Sequence, residues 1–114
     1  MSDSIVDLRD EKGVLVAKVA VAELDMITGD EFQKQLEAVA PRVGSSRVVL
    51  DFSVVEFIQS QGLGAVIVFR NAVKAAGGRV ALCGLRPAVR QVFALANLES
   101  IFEIHDDLAA AIGV

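Results

Sequence analysis

A single cysteine, Cys83, and a single histidine, His105, limit the chemistry open to this chain of 114 residues. One cysteine excludes an internal disulfide framework and fits a reducing compartment. One Cys with one His falls short of the ligand set of a structural zinc site, so no metal is expected. Every hydrophobic stretch meets a charge well before about 18 residues, which excludes an ordinary membrane-spanning helix. A basic excess is missing too: 11 Lys and Arg stand against 15 Asp and Glu. That balance argues against nonspecific nucleic-acid or anionic-membrane binding and leaves a local basic patch open. The opening, MSDSIVDLRDEKG, is acidic and polar, unlike a secretory signal, so a cytoplasmic protein is expected. Repeats, linkers and low-complexity tracts are also absent.

What remains is an ordinary globular composition, 54% hydrophobic and 23% charged, at a length that suits one domain over residues 1–114 with a real core. The chain is organised around Val48 to Gly64, VVLDFSVVEFIQSQGLG. Val48, Val49, Leu50 and Phe52 form a short continuous apolar run, the pattern of a strand covered on both faces. Val54, Val55, Phe57 and Ile58 are expected to anchor the connection that follows. From Gly62 the apolar residues fall at helical spacing, which predicts a helix over about Gly62 to Ala76 with Ser60 or Gln61 at its N-terminus. Free N–H groups and a partial positive charge there favour an oxygen ligand or a phosphate. Ser60 can simply cap that helix, or it can be a phosphorylation switch, since a phosphate adds about −1.5 to −2 charges.

Elsewhere, Ile5 to Leu8 and Val14 to Val21 suggest an antiparallel hairpin across a polar segment ending at Gly13. In AELDMITGDEF, Thr28 and Glu31 have capping-box spacing, which predicts a helix from about Gly29 to Ala40 that buries Phe32, Leu36 and Val39 and stops at Pro41. Gly77-Gly78 closes the central helix, Arg79 to Cys83 reads as a strand, and Pro87 starts a helix to about Ala96. Ile101 to Ile104 is a final short strand, and Asp106 or Asp107 begins a last helix through Leu108 and Ile112. Strands alternating with helices through short connections predict an α/β fold. The central helix is unusual in being apolar nearly all round. Leu63, Val66, Ile67 and Val73 can face the sheet while Ala65, Val68, Phe69 and Ala72 lie opposite, so either a neighbouring helix covers Val68 and Phe69 or they form a partner-binding surface beside Ser60.

At these residues the sequence resembles a STAS domain, and within that group the bacterial anti-sigma factor antagonists. VVLDFSVVEFIQSQGLG matches the family's strand, Asp, loop and Ser-x-Gly-Leu-Gly order. AELD at Ala22 to Asp25 resembles its Gly-Glu-Leu-Asp segment, and LRPAVRQVFALANLESIF its Pro-led third helix and following strand. The resemblance covers almost the whole chain and implies one STAS domain: a mixed, mostly parallel sheet of about five strands with about four helices. It also implies partner switching, in which an anti-sigma factor that is also a serine kinase phosphorylates the antagonist and a PP2C-type phosphatase reverses this. Ser60 is the implied phosphoacceptor. Asp25, Gln59, Gln61, Gly62, Gly64, Val68 and Phe69 complete the implied partner surface, and Asp51 is expected to be structural.

The chain departs from the family at Gln59, where Asp usually precedes the acceptor, and at Gln61, where a small residue is common. Neutral Gln supplies no charge to a kinase site. A switch, a constitutive antagonist and a non-phosphorylated STAS subunit of an ABC ATPase-associated transport complex therefore stay open, as does a homodimer. A catalytic role is not expected, and no cofactor is implied. Gly62-Leu63-Gly64 lacks the lysine and spacing of a phosphate-binding loop, and His105 beside Asp106 and Asp107 suits a surface or capping role.

Overall fold

The computed structural model describes residues 4–113; Met1–Asp3, within the acidic opening, lie outside the described residues. Strands β1 (Val6–Glu11) and β2 (Val14–Val19) form the expected hairpin. The polar residues Arg9–Glu11 continue the strand instead of leaving it. Lys12 and Gly13, with φ of 54° and 82°, make the two-residue turn, whose mirror-type geometry matches strand twist. The Gly13 N–H donates to Asp10 Oδ1 at 2.9 Å and fixes that turn.

The remaining elements are β3 (Glu23–Leu24), α1 (Met26–Val43), β4 (Arg47–Asp51), β5 (Phe57–Ile58), α2 (Ser60–Ala75), β6 (Arg79–Cys83), α3 (Pro87–Leu95), β7 (Glu103–His105) and α4 (Leu108–Ile112). Five strands form one sheet in the order β1-β2-β4-β6-β7, parallel except for the hairpin, and β3 pairs with β5 in a separate parallel pair. The architecture is thus the expected mixed α/β sheet.

Register explains the layers, because residues paired across parallel strands share a face. Val48 and Leu50 pair with Val80 and Leu82 and bury that face with Phe32 and Leu36 of α1, Val66 and Phe69 of α2, and Val89 and Phe93 of α3. Phe93 lies at the end of this core, edge-on to Phe52 and Phe102 with centroids 6.1 and 6.0 Å away. Each such ring contributes about 2–3 kcal/mol through burial. On the opposite face Val49, Ala81 and Cys83 pack under α4 through Leu108, Ala111 and Ile112. The central run is therefore buried on both sides, as its unbroken apolar pattern implies.

Several boundaries move. Helix α1 begins three residues before the expected Gly29, because the capping box is Asp25 with Thr28 and not Thr28 with Glu31. Pro41 lies inside α1 instead of ending it. Val43, 3% exposed, locks the last turn into the core, and only the final residues follow the proline. Strand β7 starts at Glu103, since Ile101 is 41% exposed and Phe102 turns into the core. Along the connection after β4, Val55 and Ile58 are buried anchors, whereas Phe57 is 46% exposed.

Candidate functional site

The site is built where β3 and β5 end together. Glu23 pairs with Phe57 and Leu24 with Ile58, and the Gln59 N–H donates to the Leu24 carbonyl at 2.9 Å. Helices α1 and α2 therefore start side by side. Asp25 caps α1: its Oδ1 accepts from the Ile27 N–H at 3.0 Å and the Thr28 N–H at 2.9 Å. Thr28 Oγ1 in return accepts from the Asp25 N–H at 2.9 Å. The Thr28 N–H and hydroxyl, with the Ile27 N–H, hold the Asp25 carboxyl below the usual carboxylate range because they favour its charged form.

Helix α2 has no matching device. Gln59 is its N-cap and makes no side-chain capping bond, so Ser60 occupies the first helical position. Of the two roles open to Ser60, capping is the one the structure corrects, since Gln59 holds the N-cap position. Ser60 is exposed, and its hydroxyl makes no hydrogen bond among the described residues. Two glycines let the helix starts approach. A Cβ on Gly29 would stand 2.9 Å from Gln61 Cγ, and one on Gly62 would stand 2.9 Å from Ile58 Cγ1 and 3.0 Å from Leu24 Cβ. All three distances are below van der Waals contact. Gly64 faces open space.

Around Ser60 lies an open depression of about 460 Å³, lined by Met26, Ile58, Gln59, Gln61, Leu63 and Val92. Met26 and Ile27, the first turn of α1, are 72% and 83% exposed. They were not among the expected site residues, since the misplaced start of α1 put them in a loop. The signal that locates them is Asp25-x-x-Thr28, which makes two adjacent apolar residues the outward first turn of a helix.

The expected Val68–Phe69 surface divides. Phe69, 2% exposed, is packed into the core, and α1 lies along α2 through Leu36 and Ala40. It is not available to a partner, and that expectation is corrected. Val68 stays 48% exposed. Gly62 is buried as well, so its part is spacing rather than contact. Structure thus brings Asp25, Gln59, Ser60 and Gln61 together, with Val68 two turns further along α2.

The other singled-out residues are structural. Asp51, 7% exposed, accepts from the Ser53 N–H at 2.9 Å and turns the chain out of β4. Burial, then the Asp51 and Asp107 carboxylates, push the Cys83 thiol up to about 12, which disfavours the thiolate. Asp107 caps α4 through the Ala110 N–H. His105 contacts Glu103 at 2.6 Å. Among the described residues no cluster of His, Cys, Asp and Glu could hold a metal, and no helix is long and apolar enough to cross a membrane.

An α/β sheet with helices on both faces, and an exposed serine opening the second helix, defines a class. The chain belongs to the STAS domain family, whose model matches residues 6–111. Among curated relatives, BtrV of Bordetella bronchiseptica, named for an anti-sigma factor antagonist role, is 35% identical over 94 residues, 80% of this chain and 81% of that protein. The anti-sigma F factor antagonist of Paenibacillus polymyxa is 26% identical over 102 residues, 90% of this chain and 86% of that protein. A solved anti-sigma factor antagonist from Mycobacterium paratuberculosis superposes with a TM-score of 0.83 at 27% identity, covering 95% of this chain and 90% of that one. SpoIIAA shares the fold in its unphosphorylated form, with a TM-score of 0.75 at 20% identity over 96% of this chain and 97% of that one. Its phosphorylated form scores 0.70 at 19% identity, over 94% and 95%.

Proposed function

We propose that this chain is an anti-sigma factor antagonist that works by partner switching, with Ser60 as its regulatory residue. Unmodified, it binds an anti-sigma factor that is also a serine kinase; phosphorylated at Ser60, it lets go, and a PP2C-type phosphatase restores binding. The observation that carries this reading is the Ser60 hydroxyl: exposed, without a hydrogen-bond partner among the described residues, at the first position of α2. A side chain committed to capping would be poorly placed for transfer of a phosphoryl group. This one is uncommitted, and Met26, Leu63 and Val92 surround it with apolar surface.

The same surroundings supply the switch. A phosphate dianion inside a largely apolar interface costs several kcal/mol unless it is paired. Asp25, one residue beyond the Leu24–Ile58 pair, adds a nearby negative charge that opposes it. In place of a charged neighbour, Gln59 offers the kinase an exposed amide.

Affinity for the cognate anti-sigma factor, measured by calorimetry for the wild type, Ser60→Ala and Ser60→Asp, tests the reading. Ser60→Ala is expected to bind like the wild type and Ser60→Asp at least about tenfold more weakly, roughly 1.4 kcal/mol. Equal binding by all three would overturn the switch. Recovery of a transport ATPase with no anti-sigma factor would favour the transport-complex reading instead.

A further inference from the structure

The acidic total of the chain conceals a basic end. At the far end of α2 from Ser60, about 15–20 Å along the helix at 1.5 Å per residue, Arg70 and Lys74 meet Arg79 and Glu103 across a cleft of about 170 Å³ that Gly78, Val80 and Ile101 complete. Arg47 stands behind Glu103 and is paired with it, and Arg79 reaches the other carboxylate oxygen at 3.1 Å. The cleft lining thus sets three cations, Arg70, Lys74 and Arg79, against the one carboxylate of Glu103, which Arg47 also neutralises from behind, so at least two positive charges are left uncompensated.

Two of the cations are held in place. The Arg70 Nε donates to the Ile101 carbonyl at 3.0 Å, Nη1 donates to Asn71 Oδ1 at 3.4 Å, and the guanidinium lies 5.8 Å from the Phe102 ring centroid, so the Nη2 N–H groups are presented with little loss of freedom. Arg79 is held by Glu103. Lys74 is exposed and its ammonium has no hydrogen-bond or ion-pair partner among the described residues, as suits a mobile third donor. Guanidinium forks match phosphate oxygens, and the surplus charge suits a dianion better than a single carboxylate.

We propose that this cleft binds a phosphate dianion, free or as the monoester of a small metabolite. The site is independent of Ser60 and of the partner-switching reading. The test is an amide NMR titration of the full chain with inorganic phosphate, then glycerol phosphate, with acetate and chloride at matched ionic strength as controls. Saturable shifts centred on Arg70, Lys74, Gly78–Val80 and Ile101–Glu103 are expected with phosphate, and tighter saturation by the monoester identifies the metabolite as the source. Lys74→Gln, which breaks no internal contact, is expected to weaken binding roughly threefold to tenfold. Glu103→Gln is expected to tighten it, whereas a purely structural carboxylate would give no gain. Shifts spread equally over Arg9, Lys34 and Arg90, equal response to acetate, or no saturation below about 10 mM means an adventitious ion only and overturns the proposal.

Discussion

The Gln59 N–H and the Leu24 carbonyl, 2.9 Å apart, tie the starts of the two long helices together. Through that bond the Asp25 cap of α1 and the uncapped first turn of α2 become neighbours, although 34 positions separate Asp25 from Gln59 in the sequence. The site is therefore made by the small β3–β5 pair rather than by the main sheet.

Asp25→Ala should lower Tm by a few degrees, about 3–5 °C for a domain of this size, by leaving the Ile27 and Thr28 N–H groups uncapped. Asp25→Asn retains an acceptor and should lose only a fraction of that. Thermal denaturation followed by circular dichroism checks both.

The two glycines of the α2 start should behave oppositely. Gly62→Ala drives a methyl into Ile58 and Leu24 and should destabilise by about 1–3 kcal/mol. Gly64→Ala meets nothing within 4 Å and should stabilise by up to about 1 kcal/mol through a better helix former. Urea unfolding midpoints of the pair decide this, and a loss at Gly64 as large as that at Gly62 would contradict the geometry.

Phe69→Ala should act as a core truncation, costing about 3–5 kcal/mol. Val68→Ser, one residue earlier on the exposed side, should stay within about 0.5 kcal/mol of the wild type. This contrast bears on how far the sequence could be read. The unbroken apolar run at Val48–Leu50, the glycine stop after α2, Pro87 at the head of α3 and a start of α4 at Asp106 or Asp107 are all legible, because each depends on local chemistry. Whether Phe69 faced a partner or a helix was not, since the all-round apolar pattern of α2 is the same in both cases and only the packing of α1 decides it. The Asp25–Thr28 box was missed because Thr28 and Glu31, three residues on, offer the same spacing; the β3–β5 pair that fixes Asp25 at the helix start is too short to show as a strand pattern. Ser60 itself was legible as a helix-start residue, but its failure to cap was not, because that depends on the extended geometry of Gln59.

Glu103 should confer an acid-sensitive contribution to stability. Burial alone would raise its carboxyl, but hydrogen bonds from His105, Arg47 and Arg79 outweigh this and lower it from 4.5 to about 2. A folded-state value below the unfolded one stabilises the fold above the unfolded value and is lost as pH falls through the folded one. The stability difference between the wild type and Glu103→Gln should therefore be constant above about pH 4.5 and shrink towards zero near pH 2. Denaturant unfolding across that window checks the sign, and a difference that grew as pH fell would contradict it.

The central claim is that the Ser60 hydroxyl is a reversible phosphoacceptor, and intact-protein mass tests it most directly. Protein isolated from its native cells, before and after phosphatase treatment, is compared with Ser60→Ala expressed in the same way. The account predicts a phosphatase-sensitive addition of about 80 Da, one phosphate, in the wild type and none in Ser60→Ala. The same addition persisting in Ser60→Ala, or no addition in the wild type across growth conditions that change its binding to the anti-sigma factor, would contradict it.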